Sequence, residues 1–218
     1  SAHICGIITS ADTFTLTAAT NLTLEGVTLA GAELPAVAKI TSGNAITLEA
    51  GSLLTIASAG SLLTTGSGSD ITLISDEKIL AGGEIKADDE ITMKSVQDVE
   101  LSGKVEAKNR IYVSAGDNTV GTVDDGSITG NINAFLQATA GTGDISLEAG
   151  GIGGHISLSE STLEAGDRIE ISATAGSLTH DKGLMKSSTL YGRTASGFSA
   201  NTDTSTLDAV LSEAGDID

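Results

Sequence analysis

The chain has 218 residues, 39% of them apolar, with two tyrosines, three phenylalanines and no tryptophan, so its core must be built from Ile, Leu, Val and Ala. Apolar residues in that proportion and at regular spacing exclude disorder, despite the abundance of Ser, Thr and Gly. Twenty-nine acids against eleven bases give a net charge of −18, which repels phosphate backbones and anionic bilayers and excludes nucleic acid and membrane surfaces as partners.

The first residues, through Asp12, contain Ile4, Ile7 and Ile8 without a clear pattern and read as a lead-in strand. Apolar-x-apolar triplets then open at Phe14-Thr15-Leu16 and Leu22-Thr23-Leu24. Openings of the same form follow at Ile46-Thr47-Leu48, Ile71-Thr72-Leu73, Ile91-Thr92-Met93, Ile111-Tyr112-Val113, Ile145-Ser146-Leu147 and Ile169-Glu170-Ile171. From Leu22 the intervals are 24, 25, 20, 20, 34 and 24 residues, and Ile169 to Ile217 leaves 48, room for two more of 24. The stretches 70–89 and 90–109 repeat in register. Ile71 and Leu73 are answered by Ile91 and Met93, Ile79 and Ala81 by Val99 and Leu101, Ile85 and Ala87 by Val105 and Ala107. Alternation within each triplet predicts strands with one face inward, and a period of twenty-odd residues predicts a solenoid.

The fold expectation is therefore all-β: a right-handed parallel β-helix of roughly nine coils, 20–25 residues each, forming one domain over 1–218. Its inward set is Ile71, Leu73, Ile79, Ile85, Ile91, Met93, Val99, Leu101, Val105, Ile111 and Val113. The interval of 34 implies an insertion or an unplaced coil; glycine and acid clustered from Gly116 to Gly126 predict a loop excursion over 116–131, and the pattern loosens over 176–212. Asp12, Asn21, Asn44, Asp70, Asp89, Asn109, Asp144, Asp167 and Asp216 stand just before strands, where Asn and Asp bond their own downstream backbone and encode a corner. The 27 glycines against the single Pro35 fit many turns and few interrupted strands.

No apolar run reaches the roughly 18 residues of a membrane span, and the first residues lack the charged start and apolar core by which a signal peptide is read. The chain opens on Ser1, and Ala214-Gly215-Asp216-Ile217-Asp218 repeats the form of Ala165-Gly166-Asp167-Arg168-Ile169, so the expectation is a slice of a longer polypeptide. Either further coils of the parent chain or a second copy stacked head-to-tail would then complete the ends.

The paired carboxylates Asp88-Asp89-Glu90, Asp124-Asp125 and Asp98 with Glu100 are the catalytic candidates, because polysaccharide-active β-helices use acids together with bases. Here the bases Lys86, Lys94, Lys104, Lys108 and Arg110 alternate with acids, which predicts solvated faces with cross-coil ion pairs and no catalytic residue. His3, His155 and His180 are too far apart for ligand spacing and read as surface or turn histidines, so no metal site is expected. Cys5 allows no internal disulfide and lacks an activating partner. Gly150-Gly151-Ile152-Gly153-Gly154 lacks the lysine of a phosphate loop and reads as a turn between coils. No calcium-binding nonapeptide occurs, so the cofactor expectation is none beyond adventitious Ca²⁺ at corner Asp residues. Only the first coil shows an ice-binding type of threonine rank, Thr13, Thr15 and Thr17.

Gly143-Asp144-Ile145-Ser146-Leu147-Glu148-Ala149, Ala165-Gly166-Asp167-Arg168-Ile169-Glu170-Ile171-Ser172-Ala173 and Ala45-Ile46-Thr47-Leu48-Glu49-Ala50 resemble the haemagglutinin repeat. That repeat builds the shafts of filamentous-haemagglutinin-like bacterial exoproteins, and the likeness covers roughly 14–173. The resemblance implies secretion to the cell surface and a non-catalytic scaffold that meets host or cell-surface glycan or protein. The amino-terminal secretion module of that family, with its Asn-Pro signature, is not in this sequence. A polysaccharide-active β-helix enzyme is the alternative. A bactofilin-like filament, which shares the 20-residue coil, is the intracellular one.

Overall fold

A computed structural model describes residues 1–26, 37–116, 126–131, 134–151 and 153–211. Its described residues form strands and no helix, and every strand pairing is parallel. Parallel strands cannot be joined by a hairpin; they need a crossover of a dozen residues or more. Here the two intervening strands serve as that crossover, because up to Thr162–Ala165 each strand pairs with the strand three further along the chain; beyond it, where the long strand Leu184–Thr194 serves both runs of one sheet, the step is two.

A nine-stranded sheet accordingly takes every third strand, among them Ala2–Ile4, Leu22–Leu24, Leu53–Ile56, Lys78–Ala81 and Val99–Leu101, as far as Leu178–Asp181, and ends on Phe198–Ser199 after a step of two. The second sheet consists of two runs. One passes through Ile7–Ser10, Gly60–Thr64, Glu84–Lys86, Lys104–Ala107, Phe135–Ala138 and Thr162–Ala165. The other passes through Phe14–Ala18, Ile46–Ala50, Ile71–Ser75, Glu90–Ser95, Arg110–Ala115, Asp144–Ala149 and Arg168–Ala173. The long strand Leu184–Thr194 joins the runs, pairing at its start with Thr162–Ala165 and at its end with Arg168–Ala173. Thr202–Leu211 then pairs along its length.

Registers stack like residues on like. Phe14, Ile46, Ile71, Ile91, Ile111, Ile145, Ile169, Leu190 and Leu207 form one inward column. From Ile46 to Leu190 every member is 0% exposed, whereas Phe14 is half-buried and Leu207 is 51% exposed at the other end. All eleven residues of the expected inward set are 0% exposed, and Ile71 and Ile91 are direct neighbours. At the corners the inward position shrinks to Ser or Ala. The buried Ser95 hydroxyl donates to the Glu77 carbonyl at 2.5 Å, and those of Ser42 and Ser75 do the same to the Asp12 and Ser52 carbonyls. Glycine lets corners touch: a Cβ on Gly103 would lie 2.0 Å from the Gly83 carbonyl oxygen.

The interval reading needs correction in three places. Leu22–Leu24 is not an opening of the same kind as Phe14–Ala18; it lies in the nine-stranded sheet, and Phe14 pairs with Ile46, 32 residues on. Ile111 pairs directly with Ile145, so the interval of 34 hides no additional strand on that face. Ile169 is followed in its column by Leu190 and Leu207, intervals of 21 and 17 rather than 24. In each case the connecting segments vary in length while strand register is kept. Of the predicted excursion, 117–125 lie outside the described residues, and Ile128–Gly130 is a strand paired on both sides. The stretch 176–212 holds Leu178–Asp181, Leu184–Thr194, Phe198–Ser199 and Thr202–Leu211.

Candidate functional site

The polar chemistry lies in ranks of outward side chains that the registers stack one above another. Glu84–Lys86 and Lys104–Ala107 are neighbours, which sets Lys86 against Glu106. Glu106 takes ammonium groups from both Lys86 and Lys104, the latter at 2.7 Å, with its side chain only 15% exposed. The Lys104 hydrogen bond first, and the Lys86 one second, hold the Glu106 carboxyl below its ordinary range against the opposing effect of burial. The same hydrogen bond raises Lys104. Further along this rank, Gln137 Nε2 donates to Glu164 at 2.8 Å.

Corners repeat the arrangement. Asn44 Nδ2 donates to Asp12 at 2.6 Å, which with the Thr13 backbone N–H lowers the Asp12 carboxyl. Asn109 donates to Asp89 at 2.5 Å, and Asp88 accepts the Gly68 N–H at 2.9 Å. Asp98 accepts the Ser127 N–H at 3.0 Å, and Glu100 takes both Asn131 at 2.9 Å and Lys78 at 3.3 Å. Of the catalytic candidates of the sequence, Asp88, Asp89, Asp98 and Glu100 are each bonded to a neighbouring strand or turn, and Glu90 donates its backbone N–H to Asp70 at 3.0 Å. Asp124 and Asp125 lie outside the described residues. Lys108 is exposed on a corner.

One aromatic cluster stands out. Tyr112 donates to Glu148 at 2.6 Å, with Arg110 5.2 Å and Lys94 5.8 Å from its ring centroid. Below it Thr15, Thr47, Thr72 and Thr92 occupy the same column, a threonine rank longer than the three residues noted in the first coil. Each of these threonines is the middle residue of a triplet already marked in the sequence, and register stacks them into one rank.

The histidines divide. His3 Nε2 lies 2.8 Å from Glu25, and the exposed His155 Nδ1 accepts the Ser177 N–H at 3.1 Å. His180 does not fit the expectation of a surface or turn histidine: it is 2% exposed, inward-facing, in register with Leu158. Strand alternation put it inside, a signal visible in Leu178-Thr179-His180 once that triplet is read as a strand. Cys5 is exposed. Gly151 has φ of +83°, a turn conformation, while Ile152 lies outside the described residues.

Among the described residues no group of three His, Cys, Asp or Glu is placed to hold a metal ion. Shallow depressions of about 210, 200 and 430 Å³ follow one corner, lined by Thr64, Lys86 and Glu106, then Gln137 and Glu164, then Lys186 and Asp203. Each is open to solvent. No described helix is long and apolar enough to cross a membrane. No family model matches the chain, and neither a curated protein nor a solved structure matches it significantly.

Proposed function

We propose that the chain belongs to a right-handed parallel β-helix of roughly nine coils, acting as a non-catalytic structural shaft of a large secreted or cell-surface bacterial exoprotein, an adhesin or fibre. One observation carries this reading: outward polar groups bond their equivalents one coil away. Lys86 with Glu106, Asn44 with Asp12, Asn109 with Asp89, Gln137 with Glu164 and Lys182 with Glu160 all do so. Such bonds stiffen a stack and leave few polar groups to converge on a substrate. Pairing of every third strand supports the helical path, and right-handed crossovers are the strong preference of parallel strands. Eight spacings of about 4.8 Å across the nine-stranded sheet give a shaft roughly 40 Å long. The strings around Ile46, Ile145 and Ile169 that resemble the haemagglutinin repeat support placement in an exoprotein.

Its partners in this reading are flanking coils of its own polypeptide or head-to-tail copies, with host or cell-surface glycan or protein as ligand. Half-buried Phe14 and exposed Leu207 offer apolar surface at the two ends of one column. Cofactors play no part beyond adventitious Ca²⁺. Incubation with neutral and anionic polysaccharides, read as reducing ends or unsaturated products, tests the central point, with no turnover expected. Turnover that disappears on Asp124→Asn or Asp125→Asn would replace the shaft with a polysaccharide-active enzyme. Light scattering against sodium and calcium concentration tests stacking, since both screen the −18 charge. A monomer under every condition removes head-to-tail copies from the partners.

A further inference from the structure

His180 is the one histidine among the described residues enclosed by the core, and both ring nitrogens are used by backbone groups of neighbouring strands and turns. Nε2 lies 3.0 Å from the Ser161 carbonyl oxygen, and Nδ1 lies 3.3 Å from the Asn201 backbone nitrogen. A carbonyl can only accept and a backbone N–H can only donate. The ring is therefore neutral, with its proton on Nε2 and a bare Nδ1 receiving Asn201.

The approach is built into the turn. Gly183 stands where a Cβ would come within 2.7 Å of Nε2 and 1.9 Å of the Ser161 oxygen. Glu160 and Lys182 take positive φ values of 55° and 51° on either side of this hydrogen bond, an uncommon conformation for residues with a Cβ. Asn201 is the hinge of the last described strand: its carbonyl accepts the Met185 N–H at 3.0 Å, and its side-chain amide donates to Gly183. Thr202–Leu211 begins at the next residue and pairs only with Leu184–Thr194 among the described residues.

We propose that His180 is an acid-released latch, whose neutral ring fastens Asn201 and so docks the strand Thr202–Leu211, and whose protonation lets that strand go. Imidazole is the side chain that changes charge between pH 5 and 8. A proton on Nδ1 sets two N–H donors against each other, and a buried cation then has no acceptor there. No carboxylate takes over. Glu160 is paired with Lys182 at 3.1 Å on the outside, Asp181 and Asp203 are exposed, and Glu164 bonds Gln137. Lys186 and Arg193 on Leu184–Thr194 are exposed, and Ile156–Ser159 and Phe198–Ser199 carry no charge. Release would uncover one edge of Leu184–Thr194 and the apolar side chains of Met185 and Leu190, both 0% exposed while it is docked. An exposed strand edge of this kind accepts a new strand, so the latch would make that edge available on the acidic side only.

Amide hydrogen exchange on the whole chain, corrected for intrinsic pH dependence, is the test. Between pH 7 and pH 5 the amides of Met185, Asn201 and 202–211 are expected to lose protection by at least about tenfold, while 71–113 stay protected. His180→Gln keeps an acceptor and a donor in similar places without a titrating proton, and should hold its pH 7 protection at pH 5. His155→Gln should behave as wild type, which removes the other backbone-bonded histidine as the cause. Imidazole ¹⁵N shifts of the unaltered protein follow the ring directly, so the idea stays testable if His180→Gln fails to fold. Protection of 202–211 unchanged at pH 5 overturns the proposal. So does its loss in His180→Gln over the same range, or its loss without a change in the His180 ring.

Discussion

Replacing Ile91 with alanine removes three carbons from a side chain that is 0% exposed between Ile71 and Ile111. At about 0.8 kcal/mol per methylene, the transfer loss is roughly 2.4 kcal/mol. The strands on either side are held in register by their own pairings, so the hole cannot close and a cavity contribution raises the cost to about 4 kcal/mol, within the range for such substitutions. Leu207→Ala in the same column is the control. Leu207 is 51% exposed, so about half the transfer loss applies, near 1.2 kcal/mol, with no enclosed cavity. A gap of about 3 kcal/mol between two substitutions in one column is the expected result. Urea unfolding followed by far-UV circular dichroism measures it, provided the slope m is unchanged between variants. Costs within about 1 kcal/mol of each other would refute a rigid column closed along its length and open at its end.

Glu106→Gln should lower stability at neutral pH by about 0.2–1 kcal/mol for each of its two lysine ion pairs. Because the folded carboxyl titrates below its unfolded value, its stabilisation is complete above the unfolded value and disappears as pH falls through the folded one. Urea midpoints at pH 7 and pH 3 should therefore converge for the two proteins in acid, and a difference that persists there contradicts the assignment. Gly103→Ala should cost more than about 2 kcal/mol, since its Cβ would meet the Gly83 carbonyl oxygen at 2.0 Å. Gly141→Ala, with nothing within 4 Å, should fall within about 0.5 kcal/mol of wild type, and thermal midpoints decide both.

Residues 70–113 were legible because alternation and a constant offset of twenty coincide there. Ile71, Ile91 and Ile111 can be aligned by counting, and the aligned residues prove to be neighbours. Counting failed where connections change length, at Phe14 to Ile46 and at Ile169 to Leu190, because a turn can grow or shrink without disturbing the strands that it joins. The Lys86–Glu106 rung was foreseeable from a twenty-residue spacing. The rung from Tyr112 to Glu148 was not, since it crosses the interval of 34.

The sequence by itself determined which residues face inward, because alternation is a local property of each strand and apolar burial follows it. Tertiary structure alone decided which strand lies above which, that Leu184–Thr194 joins two runs of one sheet, and which backbone groups bond the two nitrogens of His180. Those outcomes depend on residues tens of positions apart meeting in space. Their register is set by the summed packing and hydrogen bonding of whole strands, so no single stretch of chain encodes them.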